Sequence, residues 1–254
     1  MKNPSMASKQ EQSLPPGYRV FPFAELDSIN AEALRRLAGP GQHFDVIQAV
    51  RQTAGKGRRG REWQSLVGNL HASIIVKPPS MKEIGQLSFV AGIALGDALD
   101  HYAPEECEIR LKWPNDVMLD GRKTAGILIE AEPGQGAVIG IGVNIATAPK
   151  ALAKVATCLK TQGFSPVDSD ILLTRLCHRL NDWYAVWQQS GFAPVREAWL
   201  TRAAGIGQKI EARMANASEK GIFAGIDSEG ALILDRPEGG RQIIPAGEIY
   251  FSAV

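Results

Sequence analysis

Cysteine is scarce in this chain of 254 residues: three are present, Cys107, Cys158 and Cys177, far apart and never as a Cys-x-x-Cys pair. That spacing argues against a disulfide framework and against a zinc site, and the thiols read as buried or incidental. Histidine is scarce too, and its four copies, His43, His71, His101 and His178, lack the spacing of metal ligands. No side chain is therefore assigned to a metal. No apolar run approaches the ~20 residues that a membrane span needs, so no membrane partner is expected. The first 17 residues are polar, carry Pro15 and Pro16 and have no apolar signal core. A disordered tail over 1–17 and a cytoplasmic location are the expectations. A basic surplus is missing as well: the net charge is +1, where a dedicated nucleic-acid binder usually shows a clear excess. A Walker-type Gly-Lys-Ser/Thr, the kinase motifs and any internal repeat are absent. What remains is 44% hydrophobic and 22% charged, an ordinary globular composition long enough for one substantial core and a small satellite.

Periodicity then divides the chain. A helix is expected over 30–38, with Asp27, Ser28 and Asn30 as candidate caps and Gly39-Pro40 as its stop. A strand over 44–50 leads into a loop rich in Gly and Arg at 55–61, followed by a strand over 70–76. Apolar residues at helical spacing predict a long helix over 82–102. Alternation at 109–113 predicts a strand with Lys112 on the face opposite the apolar side chains. Asp120-Gly121 predicts a hairpin joining 117–119 to 122–130. A strand over 138–145 and helices over 170–189 and 194–203 follow. After Gly205 the pattern changes to short strands at 210–214, 221–226, 231–234 and 242–251. The reading is an α/β (α+β) catalytic domain over 18–204, a mixed sheet packed with helices, and a small β-barrel over 205–254.

Three segments carry chemistry. In Gly55-Lys-Gly-Arg-Arg-Gly-Arg-Glu-Trp63, four cations (Lys56, Arg58, Arg59, Arg61) interleave with glycines. Glycine lets the backbone bend close to a ligand, and arginine supplies planar donors matched to phosphate and carboxylate oxygens. A loop folding over an anion fits, mobile when empty because its like charges repel. A Gly-x-Gly-x-x-Gly dinucleotide turn and a plain solvated basic loop are the competing readings; the first lacks the helix it should open. In Lys112-Trp-Pro-Asn-Asp116, Pro114 ends a strand and the polar residues sit at its mouth. The hairpin brings Lys123 back beside this turn, so Lys112, Asp116 and Lys123 are expected in one site, although Asp116 also suits a simple turn and Lys123 a surface hairpin. In Gly140-Ile-Gly-Val-Asn144, glycines within a strand suggest a close approach by a ligand or another part of the chain.

In this order the segments resemble the biotin–protein ligase family, whose Gly-Arg-Gly-Arg-x-Gly-Arg-x-Trp, Lys-Trp-Pro-Asn-Asp, Lys-x-x-Gly-Ile-Leu and Gly-x-Gly-x-Asn elements match residues 55–63, 112–116, 123–128 and 140–144. The resemblance implies a class II synthetase/biotin–lipoate ligase-like catalytic domain with a C-terminal SH3-like β-barrel. It implies ATP and biotin as substrates with Mg²⁺, and a biotin carboxyl carrier domain as lysine-bearing partner. It assigns catalysis to Lys123, Lys112, Asp116 and Arg58. Lys123 would meet the biotin carboxylate and α-phosphate; Arg58 and Lys56 would close from the loop. Lys112 would assist with phosphate, and Asp116 would orient the incoming lysine amine or accept its proton. Ligand binding falls to Ser28, Ile29, Asn30, Gln52, Gly55, Lys56, Gly57, Arg58, Lys123, Gly126 and Asn144, with Gln52 and Ser28 holding the biotin head. Ile29 replaces a usual hydroxyl residue and Lys56 a usual arginine, losing a hydrogen bond and a bidentate contact. Some relatives carry an N-terminal helix-turn-helix; with about 25 residues before the first helix and no helical pattern in them, no specific DNA binding is expected here. A homodimer is left open. The alternatives are a lipoate or octanoate ligase or transferase and a biotin-binding module without catalysis.

Overall fold

A computed structural model describes residues 13–251. Seven strands form the larger sheet: β1 (Arg19–Leu26), β2 (Asp45–Gln52), β3 (Leu70–Val76), β4 (Ile109–Lys112), β5 (Asp116–Leu119), β6 (Arg122–Glu132) and β7 (Gly136–Val143), in the order β1-β2-β3-β7-β6-β5-β4. β1 runs parallel to β2, and the remaining neighbours are antiparallel. Helix α1 (Ile29–Leu37) lies on one face, its stripe of Ile29, Ala33 and Leu37 buried against Ile47, Ala49, Ile75 and Val138. Helices α2 (Leu87–Asp100), α3 (Ser169–Ser190) and α4 (Phe192–Thr201) enclose the main core, whose sheet side includes Leu70, Ala72, Val117, Ala125, Ile127, Ile141 and Val143.

Strands β8 (Lys209–Arg213), β9 (Ser218–Ile226), β10 (Leu232–Asp235), β11 (Arg241–Ile244) and β12 (Glu248–Phe251) form a second, antiparallel sheet in the order β11-β10-β9-β8-β12. Its buried Ile210, Phe223, Ile226, Leu232, Leu234, Ile244 and Ile249 belong to the same hydrophobic cluster as the main core. The smaller sheet is thus packed onto the larger unit rather than tethered beside it.

Four expectations need correction. The single strand over 242–251 is two: β11 pairs with β10, while β12 crosses to the opposite edge and pairs with β8. Pro245 between them has no N–H to continue a ladder. The helix over 82–102 begins only at Leu87, after a 3-10 turn at Ile84–Gln86. Almost every residue from Leu87 to Leu99 is buried, so no amphipathic stripe marks its start. β1 was not anticipated; it is an edge strand, where Pro22 and alternating exposure are tolerated, tied in by the Arg19–Asp45 ion pair at 2.6 Å. The expected tail over 1–17 is shorter at its inner end. Pro15 is buried, Leu14 packs on the core, and the His178 ring donates to the Ser13 carbonyl at 2.7 Å. Residues 1–12 of that tail lie outside the described residues. No helix among the described residues is long and apolar enough to cross a membrane.

Candidate active site

Strand register builds the floor. Asp116 on β5 lies opposite Lys112 on β4 and Gly126 on β6; Gly126 lies opposite Gly142 on β7, and Gly142 opposite His71 on β3. Neighbouring strands present opposed residues on one face, so these form a single row with two glycines at its centre. The next row on that face is Leu128, Gly140 and Ser73. The glycines are filled by the protein's own side chains. A Cβ at Gly140 would stand 2.1 Å from the Asn30 amide, and one at Gly142 2.5 Å from the Trp63 indole.

A bulge puts Lys123 on this face. Lys123 and Gly126 are three residues apart and would point to opposite faces of a regular strand. The β5–β6 register slips between Val117 and Met118, pairing Val117 with Ala125 but Met118 with Lys123, so Thr124 is the extra residue. Lys123 Nζ then meets Asp116 Oδ1 at 2.5 Å, in a pair that is half-buried on the lysine side. The strand is pinned by Lys123 N–H to Val155 O at 2.8 Å and by Thr157 N–H to Lys123 O at 2.9 Å.

Over the floor opens a cavity of about 640 Å³, a size suited to a substrate-sized molecule. Its lining includes Ser28, Ile29, Asn30, Gln52, Lys56, Gly57, Arg58, Lys112, Asp116, Lys123, Gly126 and Asn144. Of the residues expected from the sequence, Gly55 stands outside it. A Cβ there would lie 2.6 Å from the Trp63 carbonyl, and its own carbonyl accepts from Trp63 N–H at 2.9 Å. Gly55 closes the base of the loop instead of touching the cavity.

Several polar residues at the edge are committed to framework bonds. Ser28 caps α1, accepting from Ala31 N–H at 3.4 Å, and Gln52 Oε1 accepts from Ile29 N–H at 3.0 Å. The Asn30 amide donates to Glu130 at 2.7 Å and accepts from the Ser73 hydroxyl at 2.5 Å. Asn144 donates to Thr157 O at 3.1 Å, which holds the segment that pins Lys123. Ile29 is buried, its side chain in the small cluster under α1.

The five residues from Lys112 to Asp116 divide the work. Lys112 Nζ lies 5.4 Å and 5.8 Å from the ring centres of Tyr250 and Phe251, and burial pulls its ammonium pKa down against the opposing charge of Asp116. Trp113 is buried and donates Nε1–H to Gly230 O at 3.0 Å, bolting the larger sheet to the smaller. The Pro114 carbonyl accepts from Ser88 at 2.9 Å. Asn115 donates to Ile127 O at 2.7 Å and accepts from Arg58 at 3.4 Å.

The cationic loop leans on the smaller sheet. Arg58 donates to Gly247 O at 3.2 Å, Arg59 to Arg213 O at 3.4 Å, and Arg61 to Glu248 at 2.6 Å and to Tyr250 at 3.3 Å. Burial lowers the Arg58 pKa, with Glu248 pulling the other way. The repulsion anticipated from sequence is met by these acceptors. Sequence reasoning missed Trp63 as a lining residue, the exposed Leu152 and Val155 at the rim, and Glu248, Tyr250 and Phe251 from β12. The last three read simply as a strand of another unit, and nothing local marked them. No group of three or more His, Cys, Asp or Glu side chains among the described residues is placed to hold a metal ion.

Residues 37–144 match the Biotin/lipoate A/B protein ligase family, and residues 205–252 match the Biotin protein ligase C terminal domain. A biotin–[acetyl-CoA-carboxylase] ligase of Paracoccus denitrificans is 44% identical over 239 residues, covering 90% of this chain and 99% of that protein. The biotin protein ligase of Aquifex aeolicus, solved with biotin and ATP, shares the fold at a TM-score of 0.81 and 24% identity, over 92% of this chain and 99% of that one. The Leishmania major biotin protein ligase, solved with biotinyl-5-AMP, gives a TM-score of 0.66 and 26% identity, over 91% and 100%.

Proposed function

This chain belongs to the Biotin/lipoate A/B protein ligase family, and from that premise we propose how its own residues carry out a biotin ligation. It is an ATP-dependent ligase that forms an amide bond, activating biotin and passing it to a lysine. The observation that carries the residue assignment is the Lys123–Asp116 pair on a glycine floor, within one cavity walled by Lys56, Arg58 and Lys112.

In the first step a biotin carboxylate oxygen attacks the α-phosphate of ATP; the bond to the β-phosphate oxygen breaks and pyrophosphate leaves. Two anions must approach, and each close contact opposes the reaction by ~4 kcal/mol at 4 Å and an effective dielectric near 20. In this reading Lys123, whose ammonium lies against Gly126 of the floor, offsets this at the reacting atoms, helped by Arg58, Lys56 and Lys112 from the lining of the same cavity. Fixed positive charge of this kind is usually the largest catalytic contribution. In the second step a lysine amine attacks the acyl carbon and AMP leaves with the electron pair of the broken C–O bond. Asp116 orients that amine and accepts its proton once Lys123 has turned to the phosphate. Leu152 and Val155, exposed at the rim of the cavity, offer an apolar surface for the adenine base, and the loop is assigned to shield the anhydride from water.

We assign residues 18–204 to the catalytic domain and 205–254 to the barrel. The acceptor is a biotin carboxyl carrier domain. Mg²⁺ would arrive with the nucleotide and would neutralise phosphate charge there; among the described residues no group of three or more His, Cys, Asp or Glu is placed to hold it. No specific DNA binding is assigned.

Incubation with biotin, ATP, Mg²⁺ and a carrier domain, followed by mass spectrometry, is expected to show one biotinyl group on the carrier and one pyrophosphate released per transfer. A carrier that takes up lipoyl or octanoyl groups in preference to biotin would overturn the assignment.

A further inference from the structure

We propose that Glu248, on the last strand of the smaller sheet, is a positioning residue that fixes the cationic loop through Arg61 and so sets how long the site retains its activated acyl group. The part about acyl retention rests on the ligase reading above; the part about the loop does not.

Arg61 donates to the Glu248 carboxylate at 2.6 Å and to the Tyr250 hydroxyl at 3.3 Å, and Tyr250 in turn donates to Glu248 at 2.9 Å. The Glu248 side chain is only 16% exposed, against 61% for Arg61. The acceptor is therefore held by its own sheet while the arginine projects from the loop. β12 is hydrogen-bonded to β8 from Glu248 through Phe251, which makes it a rigid anchor. The loop is laced to Arg61 by its backbone. Gly57 N–H donates to Arg61 O at 2.7 Å, Arg61 N–H to Arg58 O at 3.3 Å, and Trp63 N–H to Gly55 O at 2.9 Å. A pull on Arg61 is thus felt at Gly57 and Arg58, which line the cavity. The other side-chain tethers of the loop, Arg58 to Gly247 O and to Asn115 Oδ1 and Arg59 to Arg213 O, are longer, at 3.2 Å, 3.4 Å and 3.4 Å, and end on neutral oxygens. All these tethers have an ionised arginine donor, but only the Glu248 tether also ends on an opposite charge, and at 2.6 Å it is the shortest, so it is the strongest of them. Hydrogen bonds from Tyr250 and Arg61 outweigh burial and hold the Glu248 carboxyl below its usual range, which keeps the anchor charged.

The test uses the full chain without ligand. Hydrogen exchange followed by mass spectrometry compares the parent with Glu248→Gln, which keeps the shape and removes the charge. Asp235→Asn serves as a control that breaks the exposed Arg241 pair on the same sheet. Peptides spanning 55–63 are expected to exchange about tenfold faster in Glu248→Gln, the scale of one charge-assisted bond, with β9 and β10 unchanged and Asp235→Asn like the parent. Unchanged loop exchange, or a rise spread over the whole smaller sheet, overturns the proposal. A double variant, Arg61→Gln with Glu248→Gln, is expected to behave like Arg61→Gln alone, and additive effects also overturn it. With biotin and Mg-ATP supplied, Glu248→Gln is expected to label a bystander protein on the order of tenfold more than the parent, and equal labelling removes the retention role. If the parent yields no pyrophosphate, the ligase reading fails while the exchange result still decides what holds the loop.

Discussion

The Trp63 indole lies directly on Gly142, so close that a Cβ there would stand 2.5 Å from the ring. Asn30 lies on Gly140 in the same way, but Asn30 is locked by Ser73 and Glu130, whereas Trp63 rides on the loop and its Nε1 has no hydrogen-bond partner. The two glycines should therefore fail differently. Gly140→Ala is expected to cost about 3 kcal/mol in urea denaturation, the upper range for overpacking. Gly142→Ala is expected to cost roughly 1 kcal/mol, because the ring can swing away, yet to raise the KM for biotin about tenfold. Equal stability losses would show that Trp63 is as fixed as Asn30.

Lys123 and Asp116 are expected to separate the two steps. Lys123→Ala should slow pyrophosphate release more than 100-fold, about 3 kcal/mol of lost charge stabilisation, with the melting temperature nearly unchanged. Asp116→Asn should leave the first step within roughly tenfold but slow transfer from preformed adenylate to the carrier by about 100-fold, the usual scale for general base catalysis. Single-turnover assays of each step check both; near-normal pyrophosphate release by Lys123→Ala would remove that residue from the reaction.

Trp113 joins the sheets through one bond to Gly230 O and through the buried area of its ring. Trp113→Phe keeps most of the apolar contact but orphans that carbonyl, and is expected to cost about 1–3 kcal/mol. Calorimetry of the variant should show a lowered melting temperature. No change would mean that the ring alone joins the two sheets.

His71 is fully buried beside the floor, and burial pushes its pKa below 6.5 despite a backbone hydrogen bond with Ala49. His43 is shifted the same way by burial and by Lys77. A histidine held neutral in the fold takes up its proton more readily once unfolded. Its stabilisation is complete above pH 6.5 and is lost as pH falls toward the depressed value. The Ser65 hydroxyl lies 3.3 Å from the His71 ring. Melting temperature is expected to fall on acidification below pH 6.5, and less steeply in His71→Gln, which keeps a polar partner for Ser65 without titrating. Parallel pH profiles would assign the acid sensitivity elsewhere.

Much of the fold was legible in local pattern. The Asp120-Gly121 hairpin, the alternation that set Lys112 apart from Leu111, and the shift to short strands after Gly205 all depend on neighbours in sequence. The buried helix α2 and the edge strand β1 were harder, because uniform burial in one and Pro22 in the other erase the periodic signal. The convergence of Lys112, Asp116 and Lys123 was anticipated from the hairpin, but the Thr124 bulge that turns Lys123 onto the right face left no mark in composition.

By itself, the sequence determined which residues bear charge, where the chain can turn, and which stretches must be buried; these follow from side-chain chemistry and a period of two or 3.6 residues. Only the tertiary structure decided what the cations lean on. Glu248 is 187 residues from Arg61 along the chain, yet meets it at 2.6 Å. Such a contact depends on how two sheets pack through one shared core, and packing is a property of the whole chain that no local pattern encodes.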